Sequence, residues 1–247
     1  MLFIRSLLFA VIMFIATVVW AFVCFAVAPL PYTKRYYVTS RWNEFIIWLA
    51  KVLCGIRYQI KGYENLPDRP VILLSKHQSA WETIFLLCKM PRPLVFVLKK
   101  ELIYIPLFGW ALALLRMIAI DRKNGKDAFA QVAKQGARRL KDGQWIIMFP
   151  EGTRIPVGQA GKYKGGGARL AVETHTEVVP IALNAGECWP KNSFIKKPGL
   201  VTVSIGKPIS SQGLTPTELM QQVENWIESE MRVISPHAYP ADSSQKP

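Results

Sequence analysis

The stretch VILLSKHQSAWET, residues 71–83, decides the fold of this chain. Its apolar half is typical of a short buried strand, and its polar half is typical of a turn that leads into a helix. Positions five apart lie roughly 140° around a regular helix. His77 and Glu82 can therefore meet only if His77 lies in a turn just before the helix that carries Glu82. A strand, a turn and a helix in this order predict an α/β domain.

The His77 and Glu82 pair indicates a possible general base. An alcohol is a weak nucleophile until a base removes its proton, and a histidine held by a carboxylate is a common base. Such pairs also occur in structural roles, as a satisfied surface or core histidine. The sequence has no G-x-S-x-G motif and no metal-binding spacing around His77, His175 or His237. A covalent serine mechanism and a metal site therefore both lack support.

Composition indicates contact with lipid. Of the 247 residues, 51% are hydrophobic, and the formal net charge is +14. The length fits one large domain or two small ones. The positive charge suits an anionic membrane, a nucleic acid or a polyanionic substrate, and charge alone does not choose among them. The four cysteines are widely spaced, and we interpret them as buried reduced thiols rather than a disulfide framework or a zinc site.

The N-terminal residues are predicted to anchor the chain to a membrane with two helices. Residues 7–30 are almost uniformly apolar and long enough to cross the roughly 30 Å hydrocarbon core of a bilayer. A cleaved signal peptide is the alternative, but the apolar stretch is about twice the usual length. Residues 41–54 predict a second, amphipathic helix, which could lie in the membrane interface or pack on the globular domain.

The rest of the chain alternates short β-like runs with helical segments. Strands are predicted at residues 58–60, 71–75, 94–98, 117–120, 145–149, 178–183 and 200–205. Helices are predicted at residues 80–88, 107–115, 126–141 and 167–174. A last helix begins at Pro216, because Thr215 and Glu218 form a capping box. The expected fold is α/β, with a mixed sheet of about seven strands flanked by helices and an N-terminal two-helix anchor.

The predicted domain boundaries follow from these elements. Residues 1–57 form the anchor and residues 58–234 the globular domain. Residues 235–247 are rich in Pro, Ser and Ala, so we expect a disordered tail.

A second polar stretch, FPEGTR at residues 149–154, follows a predicted strand and precedes a glycine-rich loop at 158–167. Such a loop lies at the carboxyl end of a strand, where open α/β sheets bind ligands. The planar guanidinium of Arg154 suits a phosphate group, and Gly152 allows the backbone to turn sharply. The alternative is a surface turn with a solvated arginine.

Two more basic side chains also follow predicted strands. Lys99 comes after residues 94–98, and Arg122 closes the strand that begins at Met117. Arg122 could converge with Arg154 on one anion. Alternatively, Arg122 could pair with Asp121 or with a carboxylate on a helix.

These residues together resemble the phospholipid/glycerol acyltransferase family, most closely its bacterial 1-acylglycerol-3-phosphate acyltransferases. Four motifs occur in the family's order between residues 71 and 183. They are His77 with Glu82, Arg122 with the preceding Lys99, residues 149–154, and residues 178–181 around Pro180. Glu82 stands where the family usually has aspartate.

The resemblance implies a 1-acylglycerol-3-phosphate O-acyltransferase. In this family His77 would take the proton from the free hydroxyl of the acceptor, and Glu82 would hold the imidazole. The acyl donor would be acyl-CoA or acyl carrier protein, used as a substrate, with no cofactor. The phosphate contacts it implies are Lys99, Arg122, Glu151, Gly152, Thr153 and Arg154.

The resemblance also implies where the protein works and with what. Its partners would be membrane lipids and the acyl donor, and no nucleic acid. Because basic residues follow the apolar stretch, the positive-inside rule places the catalytic domain on the cytoplasmic side of the inner membrane. The rival functions are acylation of another acceptor, such as glycerol 3-phosphate or a lyso-aminolipid, and a catalytically silent membrane lipid-binding protein.

Overall fold

The computed structural model describes residues 1–105, 108–121 and 125–239. Seven strands form one mixed sheet, and all seven predicted strands are confirmed. They are β1 Ile56–Lys61, β2 Ile72–Ser75, β3 Leu94–Lys99, β4 Ile118–Ile120, β5 Trp145–Met148, β6 Val178–Leu183 and β7 Gly199–Ile205. The helices are α1 Leu2–Ala26, α2 Tyr32–Cys54, α3 Trp81–Lys89, α4 Phe108–Leu114, α5 Gly125–Lys141, α6 Gly166–Thr174, α7 Ala185–Cys188 and α8 Pro216–Ile234.

The order of the strands brings the predicted functional segments to one edge of the sheet. The order is β1-β7-β6-β2-β5-β3-β4, and every neighbouring pair is parallel except β6 with β7. The strands β6, β2, β5, β3 and β4 therefore point the same way. Their carboxyl ends meet at a single edge, which is where open α/β sheets bind ligands.

The sheet is covered by helices on both faces, and each face has its own apolar core. Successive residues of β2 alternate between the cores, because strand side chains point to opposite sides: Leu73 packs with α2 and α3, whereas Ile72 and Leu74 pack with α6 and α8. The interior strand β6 is buried at every position, as expected for a strand covered on both sides. The predicted α/β class is confirmed.

The N-terminal helices correct one part of the predicted fold. Among the described residues only α1 is long and apolar enough to cross a membrane, so the expectation of two membrane helices is wrong. Helix α2 instead belongs to the globular domain, with Ile46 and Ala50 fully buried in the core. The Tyr36 hydroxyl donates to the Leu87 carbonyl 2.9 Å away and accepts from the Leu94 N–H at 3.0 Å.

The chain ends, as far as it is described, in a short turn after α8. Tyr239 is buried and its hydroxyl accepts a hydrogen bond from Gln78 Nε2 at 2.6 Å. Residues 240–247 lie outside the described residues. The four cysteines are free thiols, three of them buried and Cys88 half-buried.

Candidate active site

His77 and Glu82 meet in the turn between β2 and α3. Nδ1 of His77 lies 2.9 Å from Oε1 of Glu82. The same oxygen accepts the backbone N–H groups of Gln78 and Ser79 at 2.7 and 2.6 Å. Three N–H groups therefore converge on one oxygen. Since that oxygen accepts, the tautomer of a neutral imidazole that fits this contact has its hydrogen on Nδ1 and its lone pair on Nε2.

The length of Glu82 suits this arrangement. Glu82 lies in the first turn of α3, and its side chain reaches back past the start of the helix to the preceding backbone, as the glutamate of a capping box does. The extra methylene relative to aspartate supplies that reach. The side chain is fully buried, and Oε2 has no hydrogen-bond partner among the residues that the structure describes.

An aromatic ring fixes the plane of the imidazole. The His77 ring stacks on Phe149, with 3.9 Å between the ring centroids and an angle of 16° between the planes. Phe149 follows β5, the neighbour of β2 in the sheet. The His77 side chain keeps 16% of its surface exposed, so a substrate can reach the ring.

The Glu151 side chain is buried inside the protein, next to the turn between β2 and α3. Its carboxylate is fully buried in an ion pair, with Oε1 2.7 Å from Lys76 Nζ. Its Oε2 accepts the backbone N–H of His77 at 3.0 Å. Both oxygens are thus committed to the protein, and a buried carboxylate would repel a phosphate. The Glu151 side chain thus holds the backbone of His77, and its contact with the substrate phosphate stays a prediction.

The three residues after Glu151 turn toward solvent. Gly152 has φ +69°, a backbone conformation that residues with a Cβ rarely adopt, which explains the glycine. Thr153 is exposed and Arg154 is half-buried. The guanidinium of Arg154 has no ion pair or hydrogen bond among the described residues, whereas its carbonyl oxygen accepts from Lys191 Nζ at 2.7 Å.

Of the other two predicted phosphate contacts, Lys99 and Arg122, only Lys99 lies among the described residues. Lys99 is the last residue of β3 and is exposed at the same sheet edge as His77. Arg122 lies outside the described residues, as does its predicted pairing with Asp121.

Sequence reasoning missed three residues that shape the site. Lys76 and Glu228 form a buried ion pair beneath His77, at 2.8 Å. Phe149 belongs to the FPEGTR motif, but the motif alone predicts no role for it. Its position at the end of β5, beside β2, was a usable signal. Glu228 gave none, because it lies on α8, 152 residues after Lys76 in the chain.

Comparisons with known proteins agree with this architecture. Residues 57–184 match a family model described as acyltransferase. The chain is 50% identical to a 1-acyl-sn-glycerol-3-phosphate acyltransferase of Pseudomonas aeruginosa, over 94% of this chain and 92% of the relative. It is 33% identical to one from Limnanthes alba, over 84% of this chain and 73% of that one.

A solved structure extends the similarity to the fold. The crystal structure of a 1-acyl-sn-glycerophosphate acyltransferase from Thermotoga maritima superposes with a TM-score of 0.78 at 25% identity. The match covers 95% of this chain and 98% of that one.

Proposed function

The chain belongs to the acyltransferase family, and we propose that it moves an acyl group from a thioester donor to the free hydroxyl of 1-acylglycerol 3-phosphate, making phosphatidic acid. The observation that carries the proposal is the His77 and Glu82 pair, with Nδ1 and Oε1 2.9 Å apart. The activity named for the Pseudomonas relative, 50% identical over nearly the full chain, supports the choice of acceptor.

In the proposed reaction His77 acts as the general base. Nε2 takes the proton of the acceptor hydroxyl while that oxygen attacks the thioester carbonyl. Glu82 stabilises the imidazolium that forms and keeps the proton of Nδ1 in place. The tetrahedral intermediate collapses, the carbon–sulfur bond breaks, and the imidazolium returns the proton to the leaving thiolate. No covalent bond to the enzyme forms.

Arg154 and Lys99 are the proposed phosphate contacts on the described part of the chain, with Arg122 as a third. An uncommitted guanidinium can offer a phosphate two parallel hydrogen bonds. Holding the phosphate places the acceptor hydroxyl at the base, and positioning of this kind supplies much of an enzyme's rate gain. The donor is acyl-CoA or acyl carrier protein. The net charge of +14 suits both, since one is phosphorylated and the other acidic.

We also propose that α1 lies in one leaflet of the membrane rather than crossing it. Its contacts with the domain run along its whole length, from the Ser6 hydroxyl, which accepts from the Lys196 N–H, to the Phe25 ring beside Trp110. A crossing helix would carry these parts of a polar domain into hydrocarbon, where polar groups are costly. The buried Phe9 also argues against removal of α1 as a signal peptide.

The opposite side of α1 is a continuous apolar stripe that fits a lipid surface. Its members recur at helical spacing and are all at least 36% exposed: Ile4, Leu7, Val11, Phe14, Val18 and Phe22. We also propose that the domain lies on the cytoplasmic side of the inner membrane, because the basic residues that follow α1 suit the anionic lipids of the cytoplasmic leaflet.

Flotation with vesicles of phosphatidylethanolamine and phosphatidylglycerol tests this membrane contact. Phe14→Asp should weaken binding at least about tenfold, because burial of a phenylalanine contributes about 1.5–3 kcal/mol. Val233→Asp is the control, since Val233 is 65% exposed on α8. Equal flotation of the two variants would refute the proposed stripe.

Transfer from acyl-CoA to 1-acylglycerol 3-phosphate by the purified protein in detergent tests the activity. We expect His77→Ala to lower the rate about 10²–10⁴-fold, the usual contribution of a general base. His237→Ala, at a 69% exposed side chain, is the control. Parallel assays with glycerol 3-phosphate, a lyso-aminolipid and acyl carrier protein separate the alternatives. A fully active His77→Ala would refute the proposal.

A further inference from the structure

A buried ammonium group lies directly beside the proposed base. Lys76, the residue before His77, has no exposed surface. Its Nζ has three acceptors: Glu151 Oε1 at 2.7 Å, Glu228 Oε1 at 2.8 Å and the Gln159 carbonyl at 3.1 Å. An ammonium has three N–H groups, so each of them is used.

The two carboxylates connect Lys76 to distant parts of the chain. Glu151 accepts the His77 backbone N–H through its other oxygen, at 3.0 Å. Glu228 lies on α8, which packs against the far face of the sheet, and also accepts from the Tyr163 hydroxyl at 2.7 Å. One chain of hydrogen bonds therefore runs from the His77 backbone through Glu151 and Lys76 to α8.

The ammonium remains charged in this setting. Burial lowers the pKa of Lys76, but the Glu151 and Glu228 carboxylates together raise it further, and the net pKa is above the ordinary value. Replacing a buried ion pair with apolar residues often leaves stability unchanged or improved. A buried triad of this kind is therefore better explained by what it positions than by what it stabilises.

We propose that Lys76 is a positioning residue. By joining Glu151 to Glu228, Lys76 connects the backbone of His77 to α8. This connection holds the imidazole in position to reach the acceptor hydroxyl. Lys76 itself touches no reacting atom. The inference rests on the proposed function, since it concerns the geometry of that base. It adds the C-terminal helix to the parts of the protein on which the proton transfer depends.

Kinetics of Lys76→Met provide the first test, because methionine keeps the length of the side chain and removes its charge. Misplacing a catalytic group by about 1 Å can cost about 10²-fold in rate, so we expect kcat to fall about 10²-fold. The KM values of donor and acceptor should stay within about twofold, since substrate contacts are untouched. Glu230→Gln is the matched control, because Glu230 lies on α8 but bonds to Ser204 at 2.8 Å.

Histidine NMR provides a second readout, which a loss of active protein would not imitate. The chain has three histidines, and His77→Ala identifies the His77 signals of selectively labelled protein. Lys76→Met should shift the His77 ring signals and weaken the downfield signal of its Nδ1 proton. The signals of His175, on an exposed turn after α6, should not move.

Glu228→Gln keeps the test decisive if Lys76→Met does not fold. This variant removes the outer carboxylate and leaves the pair of Lys76 with Glu151. We expect a loss in kcat of about tenfold and a shift of the His77 signals in the same direction. Unchanged kcat and His77 signals in whichever of the two variants folds would overturn the proposal. An inactive wild type, or a fully active His77→Ala, would instead refute the proposed function.

Discussion

The proposed catalytic pair, His77 with Glu82, and two of the proposed phosphate contacts lie at the same sheet edge but have opposite surroundings. Around His77 and Glu82 nearly every polar atom is buried and bonded, with three N–H groups on one Glu82 oxygen. Arg154 and Lys99 reach solvent without a partner among the described residues. The difference follows from the two tasks: a base must be held in place before the reaction, whereas a cation that binds phosphate must be free until the phosphate arrives.

Glu82→Gln changes the buried pair, and we expect it to lower the rate of acyl transfer more than the other two single substitutions below. The amide oxygen of glutamine can still accept all three N–H groups, and its NH2 would replace Oε2, which has no partner among the described residues. The variant therefore removes the charge and leaves the geometry. We expect a loss of acyl transfer close to that of His77→Ala, about 10²–10⁴-fold, measured as kcat. Activity near wild type would mean that Glu82 only orients the ring.

Arg154→Ala removes one of the two cations that have no partner among the described residues. We expect a smaller effect of a different kind. A hydrogen bond to a charged group contributes about 1.5–3 kcal/mol, or about 10–100-fold. The loss should appear in kcat/KM for 1-acylglycerol 3-phosphate and leave the KM for the acyl donor unchanged. Arg169→Ala is a suitable control, because Arg169 is exposed and pairs with Glu173 at 3.0 Å. Equal effects on both substrates would argue for a structural role of Arg154.

Lys99→Ala should have the smallest effect of the three. The side chain is exposed, and exposed charge pairs contribute only about 0.2–1 kcal/mol, so we expect a rise of up to about fivefold in the KM for the acceptor. Raising the salt concentration should reduce the difference from wild type, because screening weakens exposed charges most. A loss in kcat at saturating acceptor would contradict this expectation, because Lys99 would then act in the reaction itself rather than only in binding the phosphate.

The sequence allowed the sheet and the contact between His77 and Glu82 to be predicted, because both depend on local order. The run at residues 71–83 contains the strand, the turn and the helix, and neighbouring strands of β2 were themselves strongly apolar. Two features depended on long-range packing and were missed. The role of Glu151 follows from a buried partner, Lys76, whose own second partner lies on α8. The place of α2 was decided by burial of Ile46 and Ala50, which periodicity alone could not assign to core or membrane.

The double-mutant cycle of His77 and Glu82 tests the central claim most directly. Rates of acyl transfer to 1-acylglycerol 3-phosphate are measured for wild type, His77→Ala, Glu82→Gln and the double variant. Groups that act as one unit give strongly non-additive losses, so we predict that the double variant is no slower than His77→Ala alone. Losses that multiply in the double variant would contradict the account, because Glu82 would then act independently of His77.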